Sequence, residues 1–259
     1  MTKIIAIINQ KGGVGKTTTA INLSAALGLQ GKKILLVDLD PQGNATSNLG
    51  IIKDTLKYDA SHLFLEEMPL RKVLQKNMMK NVDLIPATLN LAGLDLELIN
   101  KKKYENNVLK NIIAPIKDQY DYVILDCPPS LGILSKNALV CATSVLIPIQ
   151  AEYYAFEGIV QLLGIVRMIK NMENPDLVIE GFLITMFDRR SILCLEIMKE
   201  VYASFKDKTY KTSIPRNIKL AEAPMKHVPI FDYDKKCKGA KAYWNLSKEV
   251  IKYAKKEQI

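Results

Sequence analysis

Residues Lys11–Thr18 read K-G-G-V-G-K-T-T. Glycines at this density let consecutive backbone N–H groups turn inward around an anion. A lysine and a hydroxyl at the end of the run add a cation and a metal ligand. The chemistry this spacing suits is phosphate binding. Gly12, Gly13, Val14, Gly15 and Thr18 line the cradle, Lys16 reaches the β- and γ-phosphates of a nucleotide, and the Thr17 hydroxyl ligates Mg²⁺. The general pattern G-x4-G-K-[ST] would place its first glycine at position 10, where this chain has Gln10. A second lysine, Lys11, stands directly before the glycines instead. Two further segments end apolar runs in aspartate: L-V-D-L-D-P-Q at Leu36–Gln42, with Asp38 and Asp40, and V-I-L-D-C-P-P-S at Val123–Ser130, with Asp126. A carboxylate at the end of a buried strand must be solvated or paired. Strand ends are also where open α/β sheets bind ligands.

These residues need elements to position them. Ile4–Ile8, Ile34–Val37, Val82–Pro86, Tyr122–Leu125, Val145–Ile149 and Val178–Met186 are short apolar runs that read as buried strands. Thr17–Leu29 carries helical spacing through Ala20, Leu23, Ala26 and Leu27, ending near Gly31. Glu196–Phe205 and Ala240–Lys256 read as amphipathic helices. Strands apolar on both faces and separated by helices imply a mainly parallel, doubly wound α/β sheet covered on both sides. No linker, repeat or low-complexity segment interrupts the 259 residues, so one domain spanning 1–259 is expected. Ile51–Lys80 shows no clear pattern.

Composition narrows the classes. Hydrophobic residues make up 48%, enough for a core, and no run approaches the roughly 18 apolar residues of a membrane span. No secretory signal precedes the glycine loop, so a cytoplasmic protein is expected. The four cysteines, Cys127, Cys141, Cys194 and Cys237, lack metal-ligand spacing and are expected as reduced, mostly buried thiols. The net charge of +9 is local. From Arg189 to Ile259 there are 17 Lys/Arg against 8 Asp/Glu, whereas residues 1–188 balance at 19 each. A basic last quarter suggests a polyanion, either nucleic acid or an anionic membrane surface.

The lysine-first loop resembles the deviant Walker A motif of the ParA/MinD family of ATPases. Longer blocks resemble the ParA/Soj-type chromosome and plasmid partition ATPases within it: N-Q-K-G-G-V-G-K-T-T-T-A-I-N-L at Asn9–Leu23, D-P-Q-G-N-A-T-S at Asp40–Ser47, D-C-P-P-S-L-G at Asp126–Gly132, A-E-Y-Y-A-F-E-G at Ala151–Gly158, and I-P-R-N-I-K-L-A-E-A-P at Ile214–Pro224. The resemblance implies a P-loop fold, slow ATP hydrolysis, and ATP and Mg²⁺ as cofactors. It also implies a sandwich homodimer formed on ATP binding, in which Lys11 reaches the other subunit's nucleotide and joins Lys16 in catalysis. Asp40 would position or activate the attacking water. Asp38 would support the Mg²⁺ shell, with Asp126 holding the ion through water in the manner of Walker B. Pro215 and Asn217 would lie against the adenine. Arg190, and with it Arg189, Arg216 and Lys219, would contact non-specific double-stranded DNA. A ParB/Spo0J-type centromere-binding protein would stimulate hydrolysis and release the DNA, giving a nucleoid-associated protein.

Rival readings remain within the same superfamily. A MinD-like membrane-associated ATPase would need a lipid-facing last helix, for which Leu246, Val250 and Tyr253 share a face near Lys248, Lys252, Lys255 and Lys256. That helix is expected to pack on the sheet instead, so no membrane partner is expected. An iron–sulfur ATPase would need paired cysteines that the spacing does not offer. A chain whose phosphate loop begins near residue 11 is also not expected to carry an N-terminal helix-turn-helix.

Overall fold

The computed structural model describes residues 2–256 except 66–67, 101–104, 153–155 and 157. Seven strands form one sheet: β1 (Lys3–Ile7), β2 (Ile34–Asp38), β3 (Gln75–Met79), β4 (Val82–Ile85), β5 (Tyr122–Asp126), β6 (Ser144–Gln150) and β7 (Val178–Thr185). The helices are α1 (Lys16–Leu29), α2 (Asn44–Asn48), α3 (Ala60–Phe64), α4 (Leu70–Val73), α5 (Leu94–Asn100), α6 (Val108–Ile113), α7 (Ile133–Cys141), α8 (Ile159–Met172), α9 (Ile192–Phe205), α10 (Ile218–Glu222), α11 (Ile230–Asp234) and α12 (Lys238–Lys256). The strand order is β3-β4-β2-β5-β1-β6-β7, and every neighbouring pair is parallel except β3 with β4.

The apolar strand runs are buried on both faces, as expected for a parallel sheet. Their period of two still operates beneath that uniform hydrophobicity. Ile4, Ala6, Leu35, Val37, Val123 and Leu125 face a core closed by helices that include α7, α8 and α9. Ile5, Ile7, Ile34, Leu36 and Ile124 face the opposite core, closed mainly by α1 and α12. In α12 Leu246 and Val250 are fully buried and Tyr253 packs against the same cluster. The face considered for lipid is therefore spent on the protein's own core. Among the described residues no helix is long and apolar enough to cross a membrane.

The segment Ile51–Lys80 holds α3, α4 and β3. Strand β3 is polar in sequence (QKNMM), antiparallel and irregular in register, and it ends the sheet. A short, charged, irregular edge strand blocks pairing with other chains, and for the same reason it carries no apolar signature. Cys127, Cys141 and Cys194 are buried and Cys237 is partly exposed; all four are free thiols.

Candidate nucleotide site and basic groove

Because β1, β2 and β5 run parallel, their carboxyl ends lie at one edge of the sheet. The register sets Asp38 of β2 directly opposite Asp126 of β5, and Ile7 of β1 opposite Asp126 from the other side. The glycine loop leaves β1 at that edge and enters α1 at Lys16. Gly15 caps the helix at φ +89°, a left-handed conformation that a side chain would strain. It offers no side-chain cap, so the first-turn N–H groups of α1 are open to an anion, which the positive end of the helix favours.

The loop is tied down at several points. Asn9 donates from Nδ2 to the Pro148 carbonyl (2.7 Å), and its Oδ1 accepts the Lys11 N–H (3.0 Å). The Thr185 hydroxyl donates to the Val14 carbonyl (2.8 Å). Lys16 is buried and donates from Nζ to the Lys11 carbonyl (3.0 Å). Burial lowers its pKa, with Asp126, Cys127 and Asp40 opposing that shift. A lysine folded over an otherwise open cradle suits a phosphate, which would replace that single carbonyl with stronger charge-assisted partners. The second lysine lies elsewhere: Lys11 Nζ pairs with Glu152 Oε2 at 3.2 Å, both side chains partly exposed.

The three aspartates differ. Asp38 is fully buried and accepts from the Thr46 hydroxyl (2.7 Å), the Thr46 N–H (2.9 Å) and the Asp40 N–H (3.2 Å). Burial nevertheless pushes its pKa up to about 6. Asp40 is nearly buried and caps the following turn, accepting the Gln42 N–H at 2.9 Å. Asp126 is fully buried, and neither carboxylate oxygen has a hydrogen bond of standard geometry. Burial first and the Asp38 charge second hold its pKa well above the usual carboxylate range, with Thr17 pulling the other way. A buried carboxylate whose contact with a threonine hydroxyl falls short of a standard hydrogen bond fits a Mg²⁺ ion, which takes one or two carboxylates and completes its shell with waters and substrate phosphates. Among the described residues no cluster of three or more His, Cys, Asp or Glu could hold a metal. The Cys127 thiol bonds only weakly to the Leu125 carbonyl, and burial raises its pKa, so it is a packing group.

Beside the loop lies a cavity of about 510 Å³, mostly apolar, walled by Thr18, Met186, Ile214, Pro215, Asn217 and Tyr243. Pro215 and Asn217 thus line a space large enough to take a nucleobase and bordered by Gly15. Across the Pro215–Arg216 segment opens a second hollow of about 770 Å³ that gathers Arg189, Arg190 and Arg216. Arg190 is exposed and forks onto Asp188, at 3.1 Å from Nε and 2.9 Å from a terminal nitrogen, holding that carboxyl down to about 2. Lys219 does not join them. It pairs with Glu222 at 2.9 Å and sits over the Tyr233 ring.

Several participants were given no role by the sequence, although Thr46 and Glu152 lie inside quoted blocks. Thr46 braces Asp38, Thr185 holds the loop, and Glu152 holds Lys11. Lys211, Lys238 and Lys241 share the basic hollow, and only the charge surplus of the last quarter pointed to them. Part of the block at Ala151–Gly158 lies outside the described residues.

Residues 2–179 match a family model described as an AAA domain. The chain is 50% identical over 250 residues to the sporulation initiation inhibitor protein Soj of Bacillus subtilis, covering 96% of this chain and 98% of that protein. It is 45% identical to the chromosome partitioning protein ParA of Myxococcus xanthus, covering 96% and 88%. Among solved structures, a Mycobacterium smegmatis protein titled cobyrinic acid a,c-diamide synthase, with bound ATP analogue and magnesium, superposes with a TM-score of 0.87 at 34% identity, covering 98% of this chain and 96% of that one.

Proposed function

Because this chain belongs to the Soj/ParA family of chromosome-partitioning ATPases, we propose that it binds and slowly hydrolyses ATP with Mg²⁺ as a single ATPase domain, and that nucleotide state governs dimerisation and DNA binding. The relatives at 45–50% identity, rather than the 34% structure named for amide synthesis, set the choice of partition over other ATP-dependent chemistry. The observation that carries the ATPase reading is Asp126, a buried carboxylate without a hydrogen bond of standard geometry, beside Thr17 at the open N-terminal end of α1.

The roles divide among the chain's own residues. Backbone N–H groups from Gly12 to Thr18 hold the phosphates, and Lys16 exchanges the Lys11 carbonyl for the β- and γ-phosphates. Thr17 and Asp126 hold Mg²⁺, the latter through water, and Asp38 supports that shell from behind with its Thr46 bonds. Mg²⁺, when bound, neutralises phosphate charge and polarises the bond that breaks. Asp40 orients the attacking water from the loop after β2. Pro215 and Asn217 contact the adenine. Lys11 leaves Glu152 and reaches the nucleotide of the second subunit, which makes ATP binding and dimerisation one event. Arg189, Arg190 and Arg216 then contact DNA phosphates without reading sequence, with Lys219 at the margin. A ParB/Spo0J-type protein stimulates hydrolysis and releases the dimer from the nucleoid, in the cytoplasm.

ATP turnover and dimerisation by light scattering, measured together, test these roles. Lys16→Ala abolishes nucleotide binding. Asp40→Ala keeps ATP binding and the dimer while turnover drops by about 10²–10⁴-fold. An Asp40→Ala protein that turns over ATP normally removes the assignment of the water-positioning group.

A further inference from the structure

The basic hollow does not end where its walls end. Lys238, Lys241 and Asn245 of α12 line it, and the exposed residues that follow on the helix are Lys248 and Lys252. At 3.6 residues per turn these five positions fall within about 80° of one another, and they span about 21 Å. Opposite them Leu246 and Val250 are buried, so the stripe is fixed outward by the packing of the helix.

Its cations stand outside the ion pairs of this face. Asp188 and Glu222 are taken by Arg190 and Lys219. The acid in the middle of the helix, Glu249, accepts the backbone N–H groups of Lys211 and Thr212, both at 2.9 Å. Those bonds draw the 211–212 segment alongside α12 and turn the one carboxylate within Lys238–Lys256 toward backbone N–H groups, so it forms no ion pair with the stripe's lysines. Among the described residues Lys238, Lys241, Lys248 and Lys252 have no acidic partner. Lys248 instead lies over the Trp244 ring, 5.7 Å from its centroid. Lysines repeated at i, i+3 and i, i+4 repel one another. They are stabilised by a ligand bearing several anions at regular intervals, and a single bound anion would leave most of the stripe unmatched.

We propose that the α12 stripe is a phosphate-backbone track that extends the DNA contact from the arginine hollow along the last helix. Duplex DNA carries a phosphate about every 3.4 Å per strand, so 21 Å spans about six phosphates of one strand. The stripe meets such a strand with four cations and one amide. The proposal rests on the DNA-binding reading above and adds a second set of contacts to it.

Salt dependence separates the two. Affinity of the full chain with ATP·Mg²⁺ for a random-sequence duplex is measured from 50 to 200 mM salt for wild type, Lys248→Ala/Lys252→Ala and Arg190→Ala. Each lost phosphate contact lowers the log–log salt slope by about 0.9. The double variant should therefore lose about 12-fold less affinity than wild type across that range, with its melting temperature unchanged. Arginine at both positions should restore the slope. A double variant with the wild-type slope, while Arg190→Ala is impaired, overturns the track and leaves the arginine hollow standing. Wild type that shows no DNA binding overturns both. Binding to phosphatidylglycerol vesicles that the double variant loses, with its DNA slope intact, would reassign the stripe to an anionic membrane.

Discussion

Asp126→Asn removes a charge while keeping the side chain's shape, and its effect should change sign with ligand. In the nucleotide-free chain the carboxylate is fully buried, has no standard hydrogen bond, and faces Asp38 across the β2–β5 register. Leaving a buried polar group unsatisfied costs about 1–3 kcal/mol, and more when it is charged. Removing the charge should therefore stabilise the empty protein by about 2 kcal/mol. For a chain of this size that is a rise of about 4–8 °C in melting temperature. The pH dependence has a fixed sign. Burial raises both carboxyls, so the unfolded chain releases its protons first and stability falls as pH climbs above the ordinary carboxyl value. For Asp38 the fall runs from 3.8 to about 6, and for Asp126 it continues higher. The gain from Asp126→Asn should be largest near pH 8 and vanish toward pH 4. Melting in EDTA, followed by circular dichroism at several pH values, measures it. Adding ADP and Mg²⁺ should reverse the order, because wild type gains stability by binding and the variant has lost a metal-holding group. A variant that melts below wild type in EDTA at pH 8 would mean the carboxylate is already satisfied, and the metal argument built on it would fail.

Three further outcomes follow. Gly43→Ala should destabilise the chain by about 1–3 kcal/mol, read by urea unfolding, because Gly43 sits at φ +58° and a Cβ there would lie 2.5 Å from the Ala87 carbonyl oxygen. Leu246→Ala, at a fully buried position of α12, should cost about 2–5 kcal/mol in the same assay; a loss under 1 kcal/mol would show that the last helix is not part of the core. Glu152→Gln removes the ion pair that holds Lys11, a partly exposed contact worth at most about 1 kcal/mol, so ATP-dependent dimerisation should tighten by up to about fivefold in analytical ultracentrifugation. Weaker dimerisation would show that Glu152 serves the dimer.

Most of the sheet was legible because parallel strands buried on both faces leave continuous apolar runs, as at Tyr122–Leu125 and Ile34–Val37. Strand β3 was not, because an edge strand is kept polar. The glycine loop and the aspartates were legible as types and spacings. Their mutual placement was not, since it depends on β5 lying between β1 and β2 although more than eighty residues separate it from either in sequence. The roles of Thr46, which lies in a quoted block, and of Thr185 were not legible, because a threonine that braces a carboxylate or ties a loop carbonyl looks like any other. Lys219 lies in the same motif as Arg216, yet one helical turn of α10 sets it against Glu222 and the Tyr233 ring at the margin of the hollow, a placement that spacing alone does not give.

In the proposed function, nucleotide state controls DNA binding. The most direct test is binding of the full chain to a random-sequence duplex with ATP·Mg²⁺, with ADP, and without nucleotide, beside anionic vesicles. Tight, salt-sensitive DNA binding with ATP alone, weakened by Arg190→Ala, is the expected result. Equal DNA affinity in all three states, or ATP-dependent binding to vesicles and none to DNA, would contradict it.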